Sequence, residues 1–235
     1  MTDRAAPRLY PVVLAFFVTS LVVSNIIAVK VVSIFGLTLP AAVILFPIAY
    51  IIGDVLTEVY GYSHARRSIW IGFGCNLLAV LAIWISGQLP ADPNWTAGAF
   101  ADPQSAGQAY QAILGFAPRL LAASFAAYLA GEFLNAFVLA KLKVMTAGRY
   151  LWVRTIGSTI LGQGIDSALF ISLAFAGVLP GAILLSAILA QWAVKTFYEV
   201  IATPLTYVVV NHLKRVEGID ALDAGIQFNP LKLGG

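Results

Sequence analysis

Long apolar runs alternate along this chain with short connections, most of them basic. A helix needs about 20 apolar residues to cross a bilayer, and the pattern predicts six spans: 9–29, 40–59, 69–86, 112–140, 156–178 and 182–210. Gly36 and Pro40 mark a short turn after the first run, and Gly177 to Gly181 a tight one before the last. Trp70 and Trp84 sit near the ends of the third run, where interfacial rings belong. The longest polar connection, 87–111, carries Asp92, Asp102, Trp95, Phe100 and Tyr110 but no Lys or Arg. It reads as an external loop, either a lid over a site or loose surface. The tail, 213–235, reads as polar cytoplasmic surface.

Polar residues interrupt these runs at particular places. The second run carries Asp54 and Glu58, spaced so that both carboxylates share one helix face. A carboxylate near the bilayer centre costs about 2.5 kcal/mol or more, so it needs a partner or a task. Glu58 lies eight residues before Arg66, near the helix end, and reads as the ion-pair partner of Arg66 or Arg67. Asp54, one turn deeper, reads as functional. Asn25 lies in the first run, Asn76 in the third, Arg119, Glu132 and Asn135 in the fourth, Gln163 and Asp166 in the fifth, and Gln191, Lys195 and Glu199 in the sixth. Isolated charges do not persist in lipid, so these must converge on a bundle interior or wet cavity. By depth, Asp166 and Lys195 form the natural pair, with Glu199 competing for the same ammonium. The set describes a polar pocket for a small, flat molecule rich in hydrogen-bond donors.

Small residues at fourfold spacing mark faces for close helix contact. Ser20, Ser24 and Ala28 form one row. Ala123, Ala127 and Gly131 form a second, and Ala122, Ala126 and Ala130 a third. The last two suit contact within the chain or across a homodimer.

Composition agrees with a membrane protein. Of 235 residues, 60% are hydrophobic and 11% charged, and mean hydropathy is +0.88; a soluble domain is nearer half apolar and a quarter charged. The net charge of +3 does not point to nucleic acid; its distribution along the chain sets the topology. With both termini inside, the cytoplasmic segments hold Arg4, Arg8, Arg66, Arg67, Lys141, Lys143, Arg149, Arg154, Lys214, Arg215 and Lys232, and the outer segments only Lys30. The first run reads as a retained helix, without the cleavage site of a signal peptide. Cys75 stands alone in an apolar run and reads as packing. The fold class is therefore an all-α integral membrane protein, a single six-helix domain, N-in and C-in. The runs contain no histidine, and the chain shows no metal cluster, no phosphate-cradling loop, no nucleophile elbow and no channel filter. A non-enzymatic transporter working by alternating access, without cofactor, fits best.

Four stretches, SNIIAVK, FPIAYIIGDVLTEVYGYSHARR, GQGIDSALF and KTFYE, lie in order over nearly the whole chain. In them the chain resembles the queuosine precursor transporter family. That resemblance implies a small bacterial inner-membrane protein importing cyano- or aminomethyl-deazaguanine for salvage into tRNA. It also implies a bundle similar to the substrate-binding subunits of energy-coupling-factor vitamin transporters. Matching motifs point to Asn25, Asp54, Arg119, Asp166 and Lys195 as binding residues, with Glu132, Gln163 and Glu199 behind them. A deazaguanine presents two adjacent N–H donors that a carboxylate accepts as a pair, and a carbonyl that a cation or amide reaches. Asp54 or Asp166 would read the donor edge, and Lys195 or Asn25 the carbonyl. The alternative is a subunit of an energy-coupling-factor importer, docking its partner through the Ser20–Ser24–Ala28 row.

Overall fold

A computed structural model describes residues 7–34, 37–115, 118–223 and 228–230. Arg4, Gly36 and Lys232 lie outside them. Among the described residues seven α-helices follow in order: α1 (Tyr10–Ile27), α2 (Phe46–Tyr60), α3 (Tyr62–Gln88), α4 (Pro103–Leu114), α5 (Pro118–Met145), α6 (Leu151–Phe175) and α7 (Gly181–Glu217). Between α1 and α2 lie an antiparallel hairpin, β1 (Val31–Ile34) with β2 (Leu37–Pro40), and a 3-10 turn, Ala41–Ile44.

Four helices, α1, α3, α6 and α7, and the Pro103–Met145 stretch holding α4 and α5 are long and apolar enough to cross a membrane. The expected second span, 40–59, is instead the 3-10 turn followed by α2. At 15 residues, α2 is only about 22 Å long, short of the roughly 30 Å hydrocarbon core. Proline opens α2 in its first turn, where its missing N–H leaves no bond unmade. The expected loop 87–111 is also partly helical. Asp102 caps α4 by accepting from the Ser105 N–H at 2.8 Å. The Gln111 amide of α4 then donates to the Gly87 carbonyl at 2.7 Å, fixing α4 against the end of α3.

Six chain segments meet at one end of the bundle. The Glu217 carboxylate, at the end of α7, accepts from the Leu9 N–H just before α1 at 2.6 Å and from the Tyr60 hydroxyl at the end of α2 at 3.0 Å. The start of α3, the end of α5 and the start of α6 lie there too, through Tyr62, Lys143 and Arg154. The hairpin, the 3-10 turn and α2 together thus return the chain to the end from which α1 departs. Among the described residues, all Lys and Arg other than Lys30, Arg119 and Lys195 belong to segments at this basic end.

The turn from α2 to α3 is made by Gly61, whose φ of 86° favours glycine; a Cβ would stand 3.0 Å from both the Ala221 Cβ and an Asp223 oxygen. The most extensive packing is between α5 and α6. There Gly131 and Gly162 let the backbones touch. A Cβ at Gly131 would be 2.7 Å from the Asp166 Cβ, and one at Gly162 2.7 Å from the Asn135 Cβ. The Ala123–Ala127–Gly131 row is buried inside the chain, whereas Ala122 and Ala126 face outward. Ser20 and Ser24 are buried as well, so the row expected to dock an outside partner faces inward.

Candidate functional site

α1, α2, α3, α5, α6 and α7 enclose a chamber of about 630 Å³ in the half of the bundle away from the basic end, within the size range of small-molecule sites. Its wall carries Asn25, Asn76, Glu132, Gln163, Asp166, Gln191 and Lys195. The expected polar pocket is therefore one place. Helical spacing produces this: on α7, Gln191 and Lys195 are one turn apart, and on α6, Gln163 and Asp166 share a face.

Asp166 and Lys195 form an ion pair, their side chains 18% and 15% exposed to the chamber. Asn25 donates to the Asn76 carbonyl at 2.9 Å, tying α1 to α3. Among the described residues the buried Gln163 Oε1 has no hydrogen-bond donor. Rings complete the wall: Phe17, Tyr50, Tyr128, Phe170 and Tyr198. The three tyrosines were not singled out from the sequence, although Tyr50 lies four residues before Asp54 and Tyr198 three after Lys195. That helical spacing was the available signal.

Three of the expected site residues lie elsewhere. Arg119 is exposed at the other end of the bundle from the basic cluster, where its guanidinium donates to the carbonyls of Leu173 and Ala176. It ties the start of α5 to the end of α6. Asp54 and Glu199 lie one turn past Tyr50 and Lys195 toward the basic end, beneath the chamber floor, and are 1% and 0% exposed. No residue of 87–111 lines the chamber.

Glu58 departs from expectation in its partners. Its carboxylate is 0% exposed and meets Arg154 through two bonds, Nε to Oε2 at 3.1 Å and Nη2 to Oε1 at 2.7 Å. Lys214 reaches Oε1 at 2.7 Å and Lys143 lies 3.4 Å from it. Arg66 instead donates to the Asn229 carbonyl at 2.8 Å. Arg66 lies eight residues beyond Glu58 across the Gly61 turn, so sequence proximity did not bring them together. The partners come from α5, α6 and α7.

The tail is not simple surface. Asp220 accepts from Lys143 and lies 3.0 Å from Lys214. Asp223, 2% exposed, accepts from the Tyr62 N–H at 3.0 Å and so caps α3. Phe228 stacks near Tyr62 and Phe137, under the Lys141 ammonium. Partial burial pushes the Asp220 carboxyl up, but the hydrogen bonds from Lys143 and Lys214 outweigh it and hold the group below its ordinary range. For Asp223 burial wins and raises it, despite the Tyr62 N–H.

The chamber thus occupies one half of the bundle and the multiply paired Glu58 cluster the other end. Among the described residues no group of acids, histidines or cysteines could hold a metal. The family model described as "Putative vitamin uptake transporter" matches residues 40–209. A protein of Bacillus subtilis (strain 168) named "Probable queuosine precursor transporter" is 29% identical over 187 residues, which is 79% of this chain and 78% of that protein. No solved structure matches the chain. With several membrane-length helices and these likenesses, the protein is a multi-pass protein of the bacterial plasma membrane. The family match spans well over half of the chain, which therefore belongs to the vitamin uptake transporter family.

Proposed function

We propose that this protein imports queuosine precursors, cyano- or aminomethyl-deazaguanine, for salvage into tRNA. The observation that carries the reading is the Asp166–Lys195 pair inside an aromatic and amide-lined chamber. A deazaguanine can slip between the two charges. Asp166 then accepts the paired N–H donors and Lys195 or Asn25 donates to the ring carbonyl, so each ion exchanges one partner for another. The tyrosines and Phe170 supply faces for the flat ring. The name of the Bacillus relative supports the same substrate class.

The topology belongs to this proposal. The basic end is cytoplasmic by the positive-inside rule, six crossings place both termini there, and the chamber faces outward. The Glu58 network then closes the cytoplasmic side, and import requires it to part. The outward-facing Ala122–Ala126 surface offers a flat face to a second copy in a homodimer. The energy-coupling-factor alternative is disfavoured by the inward-facing Ser20 and Ser24.

The test is complementation. Bacteria unable to make or import the precursor are given this chain, fed either base, and assayed for queuosine in tRNA. Restoration with the wild type and loss with Asp166→Asn is expected. Failure of the well-expressed wild type with both bases would refute the substrate assignment.

A further inference from the structure

The Asp54–Glu199 pair does not line the chamber, yet it places two acids together in the buried interior. Asp54 on α2 and Glu199 on α7 are essentially inaccessible, and their carboxyl groups lie within hydrogen-bonding reach of each other. The donor that reaches them is the Asn135 amide on α5, at 3.2 Å from Asp54 Oδ1. Among the described residues, Asp54 Oδ2 and both Glu199 oxygens have no donor. Tyr50, one turn back on α2, faces Glu199 but its phenol does not bond the Glu199 oxygens, and the other groups that face the pair do not help. Glu132 on α5 is another acid. Glu58, one turn on along α2, already holds Arg154, Lys143 and Lys214. Lys195 on α7 is engaged with Asp166 on α6. Among the described residues no cation forms an ion pair with Asp54 or Glu199.

Two ionised carboxylates in contact, buried in hydrocarbon and without donors, are untenable. A single proton removes the conflict: one group becomes an O–H donor and the other accepts from it. We propose that Asp54 and Glu199 jointly hold one exchangeable proton, and that its uptake and release drives import of the solute. Asn135, which holds Asp54, links the pair to the space around it. Glu132 lines both the chamber and a small void shared with Gly53, Thr57 and Asn135. At about 10 Å³, that void is at the lower limit for holding one water. From the chamber side hydronium gives its proton to the pair and leaves as water. When the Glu58 seal parts, the pair returns the proton to water on the cytoplasmic side, and one charge has crossed with one solute.

This rests on the transport reading above, and the experiment separates the two. The full-length protein is reconstituted in vesicles and accumulation of the neutral cyano base is followed under an imposed pH gradient. One proton per solute gives about tenfold accumulation per pH unit. Asp54→Asn and Glu199→Gln, which mimic the neutral group in shape, lose that dependence while the base still raises the melting temperature. Accumulation indifferent to pH, driven by a sodium gradient, or unchanged in both variants overturns the proposal. If the wild type moves no deazaguanine at all, the substrate reading falls, and difference infrared spectra of the ligand-free protein decide the proton site. A protonated-carboxyl C=O band that is lost in Glu199→Gln upholds it, and absence of that band in the wild type overturns it.

Discussion

Replacing Glu58 by glutamine isolates the charge at the centre of the basic end. The side chain keeps its size, but Arg154 and Lys143 lose their buried counter-charge while themselves remaining 1% exposed. The cluster balances Glu58 and Asp220 against Lys143, Arg154 and Lys214, two anions against three cations. After the substitution one carboxylate remains, 57% exposed. Breaking a buried pair from one side costs about 3–5 kcal/mol, because the survivor stays buried and uncompensated. At roughly 2–4 °C per kcal/mol for a chain of this size, detergent-solubilised Glu58→Gln should melt about 6–20 °C below wild type. Asp220→Asn is the internal comparison. Its carboxylate is more than half exposed, and such pairs contribute about 0–1 kcal/mol. Adding Arg154→Met to Glu58→Gln should recover part of the loss, since the stranded charge leaves with it. If Glu58→Gln melts no lower than Asp220→Asn, the Glu58 cluster is not the strong point of this end and the reasoning fails.

Other outcomes follow from the same geometry. Asp166→Asn or Lys195→Met should weaken deazaguanine binding by about 10- to 150-fold, the equivalent of roughly 1.5–3 kcal/mol for a lost charge-assisted bond. Arg119→Met, read by the same ligand-induced melting shift, should leave affinity unchanged because that guanidinium serves backbone carbonyls away from the chamber. Gly131→Ala or Gly162→Ala should cost about 1–3 kcal/mol in thermal unfolding, since either methyl needs α5 and α6 to separate. The tail clamp should loosen in acid. Asp220 sits lower folded than unfolded, so its contribution is complete above the ordinary aspartate value of about 4 and fades as pH falls through the folded value. The melting difference between wild type and Asp220→Asn should therefore shrink on acidification, and a constant difference would contradict the shift.

Much of this protein is legible in one dimension because the bilayer is a strict solvent. Length and apolarity alone locate α1, α3, α6 and α7 to within a turn or two. A charge that lipid cannot tolerate must point inward, which is why Asn25, Asn76, Glu132, Gln163, Asp166 and Lys195 could be assigned to one pocket before any coordinates. The Asp166–Lys195 pair was legible for the same reason, since two ions at equal depth on consecutive helices have few other partners.

Depth, however, is a coordinate along one axis only, and azimuth and long-range closure belong to the packed bundle. Asp54 and Glu199 lie one turn from chamber residues, yet that turn puts them beneath the floor and against each other. Arg119 lies in an apolar run but in the first turn of α5, where it serves carbonyls. Glu58 has basic residues close by in sequence, but the reversal at Gly61 and the arrival of α5, α6 and α7 give it Lys143, Arg154 and Lys214 instead. Even the tail, polar enough to read as surface, is drawn in by unpaired N–H and ammonium groups at the helix ends. The hydrocarbon environment decides from sequence which residues must be hidden. Only the meeting of distant segments decides which of them neutralise one another.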